Sequence, residues 1–381
     1  MIELISPADG EKISLLTDVM REFVERQYSG QHVYAEDPEE FPDAEDSYAW
    51  LREKYGKGFT RNYAGNPNEV NLTKPQYIKF SWKADVPCHV EITCSVKYPN
   101  DPQTEILPPE LDGDIYTCEA GNFFMRTEYS WQVVSDDGKQ HSELRRFVTL
   151  DEFPRAIFAQ GGGNIRDLGG LKTYDGKSLR QGCVYRGGAL ECYLEEVLKS
   201  NERSYSLTPR GKHVLRDLVR IKKDIDIRKD SVGVLNESPL GGDVELLHLT
   251  LRGYELFYDT PWANKTKELF DLLADESNYP VYLHCMVGAD RTGTVMCFLE
   301  MLLGVSRKDL IADYNITSLS LRDIRLIPPD GECDQNRFLG GMGDHEPVEE
   351  TVKRNCEKFL MDKFGITMET IEKVRKNLIE E

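Results

Sequence analysis

The first regular pattern in the chain is an alternation of apolar and polar residues that begins near residue 77. Large or apolar side chains occupy every second position of several short runs, the spacing of strands with one buried face. The last two runs flank a turn at Asp136-Asp137-Gly138, which predicts a hairpin. We therefore predict a small all-β sandwich over residues 69–152. Its predicted strands include Tyr77–Trp82, His89–Val96, Tyr129–Val134 and Arg146–Leu150.

A different pattern precedes this region, in residues 1–68. Apolar residues from Ile13 to Val24 recur at helical spacing, which predicts a helix over residues 12–28 packed beside the sandwich. Residues 36–46 are mostly acidic and contain two prolines, which favours a solvated linker. Aromatic residues interleaved with the acids leave a second interpretation open, a surface that covers a functional site.

The pattern changes again near Phe153-Pro154-Arg155, where the strands stop and Gly161-Gly162-Gly163 follows. Beyond this boundary, apolar runs of strand length alternate with helical runs. Such alternation predicts an α/β fold over residues 153–381, a parallel sheet flanked by helices. The predicted elements are a helix at Leu207–Arg220, strands at Lys223–Ile227 and Glu245–Leu249, a helix at Trp262–Asp275, a strand at Val281–His284, a helix at Thr292–Leu303, and a helical run from Pro347 to Glu380 broken near Gly365.

Composition narrows the classes of protein that this organisation allows. The 381 residues are enough for two domains. A net charge of −19 argues against non-specific nucleic-acid binding, which needs clustered cations. No apolar run is long enough to span a membrane, and charged residues in Met1–Glu22 argue against a secretory signal. The nine cysteines form no pair with zinc-ligand spacing, which favours a reducing, cytoplasmic location without a metal site.

The candidate chemistry lies in His284-Cys285-Met286-Val287-Gly288-Ala289-Asp290-Arg291-Thr292-Gly293. This run joins the end of a predicted buried strand to the start of a predicted helix, where an anion site is expected. Five residues separate Cys285 from Arg291, so the backbone between them can curl and direct its N–H groups at one centre. The predicted phosphate-binding residues are Met286, Val287, Gly288, Ala289, Asp290, Arg291 and Thr292.

The same arrangement predicts a nucleophile. Backbone N–H groups and the positive end of the helix dipole stabilise a Cys285 thiolate, while the planar Arg291 guanidinium can hold phosphate oxygens with two parallel hydrogen bonds. We expect the Thr292 hydroxyl to donate to the sulfur and His284 to order the loop from behind. The alternative is a buried cysteine in an ordinary strand-to-helix turn. The full string, with its flanking strand and helix, favours phosphate chemistry.

These residues resemble the phosphate-binding loop of the protein tyrosine phosphatase superfamily. A second motif, Asn164-Ile165-Arg166-Asp167-Leu168-Gly169-Gly170, resembles the opening of the catalytic domain in the bacterial tyrosine/serine protein phosphatases. Asp226-Ile227-Arg228 and Asp313-Tyr314-Asn315 also fit that family. The strand order predicted for residues 69–152 resembles a fibronectin III or immunoglobulin-like domain. The resemblance to the phosphatases covers about residues 155–375.

The resemblance implies an aspartate that protonates the leaving oxygen. Asp259, on a loop upstream of the catalytic strand, is the first candidate; Asp290, inside the loop, is the second, with helix capping as its structural alternative. Asp243, in Gly241-Gly242-Asp243, is the third. Arg166 and Asp167 are expected to support the site as a buried pair that pins the first loop of the domain, rather than to act in catalysis.

We therefore predict a cysteine-dependent phosphatase that needs no cofactor. The first hypothesis is a protein tyrosine phosphatase, with dual specificity open, acting on a phosphotyrosine protein or a small phosphomonoester through a phosphocysteine intermediate. The second is a phosphoinositide or phytase-like phosphatase, which Ala289 disfavours because several relatives have a lysine there. The third is a binding module that only recognises phosphate. The sandwich is a candidate surface for a protein partner.

Overall fold

The computed structural model describes residues 2–29, 72–191, 207–228, 235–257, 262–320 and 348–380. Two of the predicted features, the acidic stretch 36–46 and Asp259, lie outside these ranges. The described part contains three β-sheets, seven α-helices and several shorter helical turns.

Two of the sheets enclose one apolar core in the first part of the chain. The first has the strand order β1-β3-β7-β5, with β6 also paired to β7, and the second has the order β2-β9-β8-β4. Trp82 and Phe80 from the first sheet pack with Trp131 and Phe147 from the second, and all four are fully buried. The strands are β1 Glu3–Ser6, β2 Glu11–Ile13, β3 Ile78–Lys83, β4 Cys88–Cys94, β5 Glu105–Ile106, β6 Glu110–Asp112, β7 Ile115–Gly121, β8 Glu128–Ser135 and β9 Arg145–Thr149.

The amino-terminal segment differs from its prediction in two ways. Strands β1 and β2 pair with β3 and β9, so these residues belong to the two sheets rather than to a separate leading segment. The helix therefore begins later than predicted, as α1 at Asp18–Ser29. Its apolar face packs against Ile316 and Leu319 of the second part of the chain, a partner that the sequence did not indicate. Helical periodicity marked the buried face correctly but could not indicate its partner.

The third sheet organises residues 155–284. Its order is β10-β11-β12-β15-β13-β14, and the last four strands are parallel while β10, β11 and β12 pair antiparallel. The sheet is therefore mixed, not purely parallel as predicted, because the short connection between β10 and β11 cannot make the crossover that parallel strands require. The strands are β10 Arg155–Ala156, β11 Arg166–Asp167, β12 Val184–Gly187, β13 Lys223–Asp226, β14 Glu245–His248 and β15 Val281–His284.

Helices cover both faces of this sheet. Val281 and Leu283 of β15 face the main core, which α3, α4, α6 and α7 complete, while Tyr282 faces a second cluster with Val214 and Leu215. The helix predicted over residues 207–220 is α2 followed by a π-helical turn. The helices are α2 Pro209–His213, α3 Ala263–Leu273, α4 Asp290–Leu303, α5 Arg307–Ile316, α6 Val348–Phe364 and α7 Met368–Leu378.

The two parts of the chain share a tightly packed interface. The side-chain amide of Gln181 accepts from the N–H of Met125 at 2.9 Å and donates to its carbonyl at 3.0 Å. Gly170, at φ +95°, approaches the same methionine so closely that a Cβ would lie 1.9 Å from its Cε. Arg126 adds an ion pair with Glu380 at 2.9 Å. The sandwich side therefore packs directly against the motif that opens the second part of the chain.

Candidate active site

The run from His284 to Gly293 joins the middle of the third sheet to a helix. Strand β15 lies between β12 and β13 and is buried at all four positions. It ends at His284, and α4 begins at Asp290, so the loop between them opens onto a helix N-terminus. Cys285 is the first residue of the loop and is 2% exposed.

Gly288 gives the loop its curvature. Its φ of +72° lies in the left-handed region, which glycine adopts without steric cost. A Cβ there would also lie 2.4 Å from the carbonyl carbon and oxygen of Gly187 on β12. Both the backbone conformation and the close approach therefore require glycine at this position.

Groups outside the loop hold its carbonyls. The Cys285 carbonyl faces Nδ1 of His284 at 3.1 Å, and the Met286 carbonyl accepts from the N–H of Ala189 at 3.0 Å. The Asn164 side chain donates to the next two carbonyls, Val287 and Gly288, both at 3.2 Å. Four successive carbonyls thus point away from the centre of the loop.

The N–H groups consequently point inward. In a trans peptide the C=O and the N–H point in opposite directions. Because the carbonyls of residues 285–288 point outward, the N–H groups of residues 286–289 point toward the centre of the loop. Within the described ranges, no protein acceptor meets these four N–H groups. Converging backbone N–H groups of this kind form a binding site for an anion.

Arg291 and Thr292 add side-chain donors at the start of α4. One guanidinium nitrogen of Arg291, Nη1, and the hydroxyl of Thr292 are buried and have no hydrogen-bond partner among the residues that the structure describes. Buried donors without an acceptor are costly, and an anion in the loop can satisfy them. The predicted hydrogen bond from Thr292 to the cysteine sulfur is not among the contacts observed and stays a prediction.

His284 lies behind the loop. Its Nε2 is 3.0 Å from the carboxylate of Asp224, which is fully buried on β13, and its Nδ1 is 3.1 Å from the Cys285 carbonyl. The contact with Asp224 has ion-pair distance but not the alignment of a hydrogen bond, since its Oδ1 has no hydrogen-bond partner among the described residues. Burial acts to lower the pKa of His284, but Asp224 and then Asp226 outweigh it and raise that pKa. The raised pKa favours the imidazolium form of His284, which carries a positive charge behind the loop.

A second arginine lies at the same edge of the sheet. Arg228 follows β13, and Asp226 holds its guanidinium through Nε and Nη2, at 2.8 and 2.6 Å. Burial, foremost, lowers the pKa of Arg228 to about 10; the nearby charges of Glu191 and Cys285 raise it, whereas Arg291 lowers it. Arg228 therefore lies within electrostatic range of both ends of the loop.

A buried ionic network supports the loop from the side of β12. Arg186 donates to the Gly288 carbonyl at 3.0 Å and also bonds Asp313 of α5. Arg166, beside it on β11, bonds Asp313 at 2.7 Å and the Asn164 side chain at 2.5 Å. Burial alone would raise the pKa of Asp313, but the two arginines hold it down to about 2. Burial raises the pKa of Glu300 well above its usual value, so it keeps its proton next to Asp313.

Asp167 and Arg166 do not form the pair expected from the sequence. Asp167 bonds Arg155 at 2.6 Å and accepts from the N–H groups of Gly169 and Gly182. Arg155 in turn donates to the Phe123 carbonyl. Successive residues of a strand point to opposite faces, so Asp167 faces the sandwich while Arg166 faces the loop. Burial raises the pKa of Asp167 more than Arg155 lowers it.

The three candidate proton donors are placed differently. Asp290 is the first residue of α4, and its carboxylate accepts from the hydroxyl of Tyr254 at 2.8 Å. Asp243 precedes β14 and pairs with Arg216 at 2.9 Å, at the edge of the parallel strands opposite to Cys285. Asp259 lies outside the described residues. Among the described candidates, only Asp290 lies in the loop.

Several residues of the site had no assigned role at the level of sequence. Asn164 was part of a recognised motif, and its φ of +57° is tolerated by asparagine, but its contact with the loop joins distant parts of the chain. Asp224 lies in a predicted strand beside Lys223 and two residues before Asp226, so no apolar run marked it as buried. Tyr254 had no signal, since tyrosines are frequent in this chain.

Two further searches cover the described ranges only. There, no cluster of three or more histidine, cysteine, aspartate or glutamate side chains could hold a metal ion. None of the described helices is long and apolar enough to cross a membrane.

A comparison with models of protein families shows the family of this chain. A model of the tyrosine phosphatase family matches residues 157–380. Similar solved structures include the core catalytic domain of the PP-IP phosphatase SIW14 from S. cerevisiae in complex with citrate, at 14% identity and a TM-score of 0.27, covering 45% of this chain and 88% of that chain. A further Siw14 catalytic core is 14% identical, with a TM-score of 0.28, and covers 45% and 86%. At this similarity neither indicates a substrate. No curated protein matches the chain.

Proposed function

The chain belongs to the tyrosine phosphatase family, and on that premise we propose that it is a protein tyrosine phosphatase that acts through a phosphocysteine intermediate. The observation that carries the proposal is the loop: four carbonyls held outward, four N–H groups turned inward, and Cys285 at its start. This geometry supports binding of three phosphate oxygens above the sulfur. Arg291, whose Nη1 has no acceptor among the described residues, supports the same role.

The proposed reaction has two steps. The Cys285 thiolate attacks phosphorus, an S–P bond forms, and the P–O ester bond breaks as the leaving oxygen takes a proton from an aspartic acid. Water then attacks phosphorus, the S–P bond breaks, and the aspartate takes a proton from that water. The inward N–H groups and Arg291 stabilise the charge on the transferring phosphoryl group in both steps.

We propose Asp290 as the proton donor, because it is the described candidate that lies in the loop. Asp259 remains the alternative from the sequence. Replacing each with asparagine distinguishes them: the variant that lacks the donor should lose about 100-fold or more on phenyl phosphate, whose leaving group is strongly basic, and less on p-nitrophenyl phosphate. Equal losses on both substrates would contradict the assignment of a proton donor.

The chemistry has a direct test. Cys285→Ser should abolish turnover of p-nitrophenyl phosphate but retain vanadate binding, because the N–H groups remain in place. Arg291→Lys should weaken vanadate binding, because lysine cannot form two parallel hydrogen bonds. Cys297→Ser is the matched control: this thiol is buried on α4, outside the loop, and its loss should leave turnover near wild type. Turnover by Cys285→Ser would overturn the mechanism.

One observation favours the alternative function, an inositol-phosphate phosphatase. Such substrates carry additional phosphates, and Arg228, oriented by Asp226, is a second guanidinium at the site. The two proposed functions can be distinguished by measuring turnover of a phosphotyrosine peptide, a phosphoserine peptide and inositol hexakisphosphate, with chelator and vanadate controls. Preference for the phosphotyrosine peptide, retained with chelator, supports the main proposal; preference for the inositol phosphate, lost in Arg228→Met, supports the alternative.

We also propose that residues 69–152, together with β1 and β2, form an immunoglobulin or fibronectin III-like sandwich, and that residues 153–381 form the phosphatase domain. The strand order supports the first assignment. In such sandwiches the first, second and fifth main strands share one sheet, while the third, sixth and seventh share the other. The pairings β1-β3-β7 and β9-β8-β4 follow this arrangement.

A further inference from the structure

The carboxylate of Asp290 is held by a residue from another segment of the chain. The hydroxyl of Tyr254 donates to its Oδ1 at 2.8 Å. Tyr254 begins the 3₁₀ turn Tyr254–Phe257, which lies against the start of α4: a Cβ on Gly253 would be 3.7 Å from the Arg291 side chain. Leu256 of the same turn is fully buried in the main core. The turn is therefore held between the start of α4 and the main core.

A second hydroxyl completes this arrangement. Tyr314 of α5 lies 2.6 Å from the Tyr254 hydroxyl. Its ring packs so closely on α4 that a Cβ on Gly293 would lie 2.8 Å from it. The single hydroxyl proton of Tyr254 points to Asp290 Oδ1, so Tyr314 must be the donor in the contact between the two hydroxyls. The result is a directed chain from Tyr314 through Tyr254 to Asp290.

We propose that Tyr254 is a positioning residue that orients the Asp290 carboxyl group for proton transfer to the leaving oxygen. The inference rests on the proposed function, with Asp290 as the proton donor. When Asp290 gives its proton to the leaving oxygen, it becomes a carboxylate, and Tyr254 stabilises that charge until the attacking water returns a proton. Tyr254 itself gives up no proton in the cycle.

Tyr254 keeps its proton over the pH range of the experiment. Burial, and then the charges of Tyr314 and Asp290, raise the pKa of Tyr254 far above its usual value. The other ionisable groups of the site are Cys285 and Arg291 in the loop, His284 with Asp224 and Asp226 behind it, and Arg228 with Glu191 beside it. None of them is altered when Tyr254 loses its hydroxyl, so a change in the pH profile can be assigned to the Tyr254–Asp290 contact.

The experiment compares the full-length Tyr254→Phe variant with wild type on aryl phosphates across pH. Loss of one hydrogen bond to a carboxylate should move the high-pH limb for phenyl phosphate up by about one pH unit. It should also lower kcat on that substrate about 10-fold, with a smaller effect on p-nitrophenyl phosphate. Tyr314→Phe should act in the same direction but more weakly. Tyr279→Phe, which removes a buried hydroxyl bonded to the Leu273 carbonyl, is the matched control and should leave the profile unchanged.

The outcomes separate the inference from its premise. If Asp290→Asn turns over phenyl phosphate like wild type, the proton-donor assignment fails. If Asp290→Asn is impaired while Tyr254→Phe and Tyr314→Phe both keep the wild-type pH profile, Tyr254 only anchors its turn and the positioning role is overturned. Melting temperatures of all variants identify any loss of activity caused by unfolding.

Discussion

Single residues around the loop show two kinds of constraint, one of space and one of charge. Gly288 has no room for a Cβ, because the backbone of Gly187 lies against it. Asp313 is buried between two arginines and forms an ion pair with each of them. Loss of the first constraint should alter the shape of the loop, and loss of the second should alter the stability of its support.

Gly288→Ala should reduce kcat/KM on p-nitrophenyl phosphate by about 100-fold, the size of effect seen when an oriented donor is lost. The added Cβ must displace the loop from β12 and tilt its N–H groups. Gly176→Ala is the control, since φ there is +84° but no atom lies within 4 Å of the Cβ position. This variant should lower the free energy of unfolding by about 1–2 kcal/mol and leave the activity unchanged. Equal activity of the two variants would contradict the role of Gly288.

Asp313→Asn should destabilise the protein by about 3–5 kcal/mol near neutral pH, because two buried arginines lose their counter-charge. The pKa of Asp313 is about 2 when folded, below the unfolded value of about 3.9, so its contribution is present above pH 4 and lost as pH falls toward 2. Urea unfolding at several pH values should therefore show that the difference in free energy of unfolding between the variant and wild type becomes smaller as the pH falls. The exposed Asp362→Asn is the control; a pH-independent difference for Asp313→Asn would be evidence against this titration.

At the scale of elements, the loop depends on its neighbours as much as on its own sequence. Strand β12 contributes Arg186 and the Gly187 backbone, while the segment before β11 contributes Asn164. Each contact fixes a carbonyl or the space beside it. The conformation of residues 285–289 is therefore a joint property of three segments that lie far apart in the chain.

Asn164→Gly tests this dependence, since glycine accepts the positive φ but removes the side-chain donor to two loop carbonyls. We expect vanadate affinity to fall about 10-fold, the loss of about one net hydrogen bond to the loop. Asn122→Gly is a matched control: its φ is +62° and its side chain also makes two backbone hydrogen bonds, but to Phe158. It should lower stability and leave vanadate binding intact.

Local patterns predicted the elements well where a single segment decides the outcome. Four predicted strands of the sandwich correspond to β3, β4, β8 and β9, and the strand before Cys285 and the helix after it are both observed. The short strands β5, β6, β10 and β11 show too few residues for a period. Local patterns could not indicate which part of the molecule α1 would contact, or that Arg166 would bond Asp313 and not Asp167. Both outcomes depend on packing between segments that are distant in the chain.

At the scale of the whole molecule, the charges are divided between surface and interior. The chain has a net charge of −19, yet Arg155, Arg166, Arg186 and Arg228 are each no more than 3% exposed. Arg166, Arg186 and Arg228 place buried positive charge beside the loop. Three of these arginines also link the sandwich side, the third sheet and α5 through buried hydrogen bonds.

Arg155→Met should lower the melting temperature of the whole chain, because Asp167 would remain buried without its partner, at a cost of about 3–5 kcal/mol. Since the interface is buried and hydrogen-bonded, scanning calorimetry should show a single transition that moves as a unit. Arg146→Met, at an exposed position of β9, should leave the temperature of this transition unchanged. Two transitions, of which only one moves, would mean that the two parts unfold independently.

The opposite orientation of two neighbouring side chains has a consequence for domain recombination. Asp167 bonds the arginine that binds the sandwich backbone, and Arg166 bonds the network that holds the loop. One dipeptide thus serves both the junction and the catalytic half. A phosphatase half grafted onto another amino-terminal module would keep the Arg155–Asp167 pair but lose the carbonyls of Asn122 and Phe123 to which Arg155 donates. Successful chimaeras should therefore need to transfer residues 122–126 together with the catalytic half.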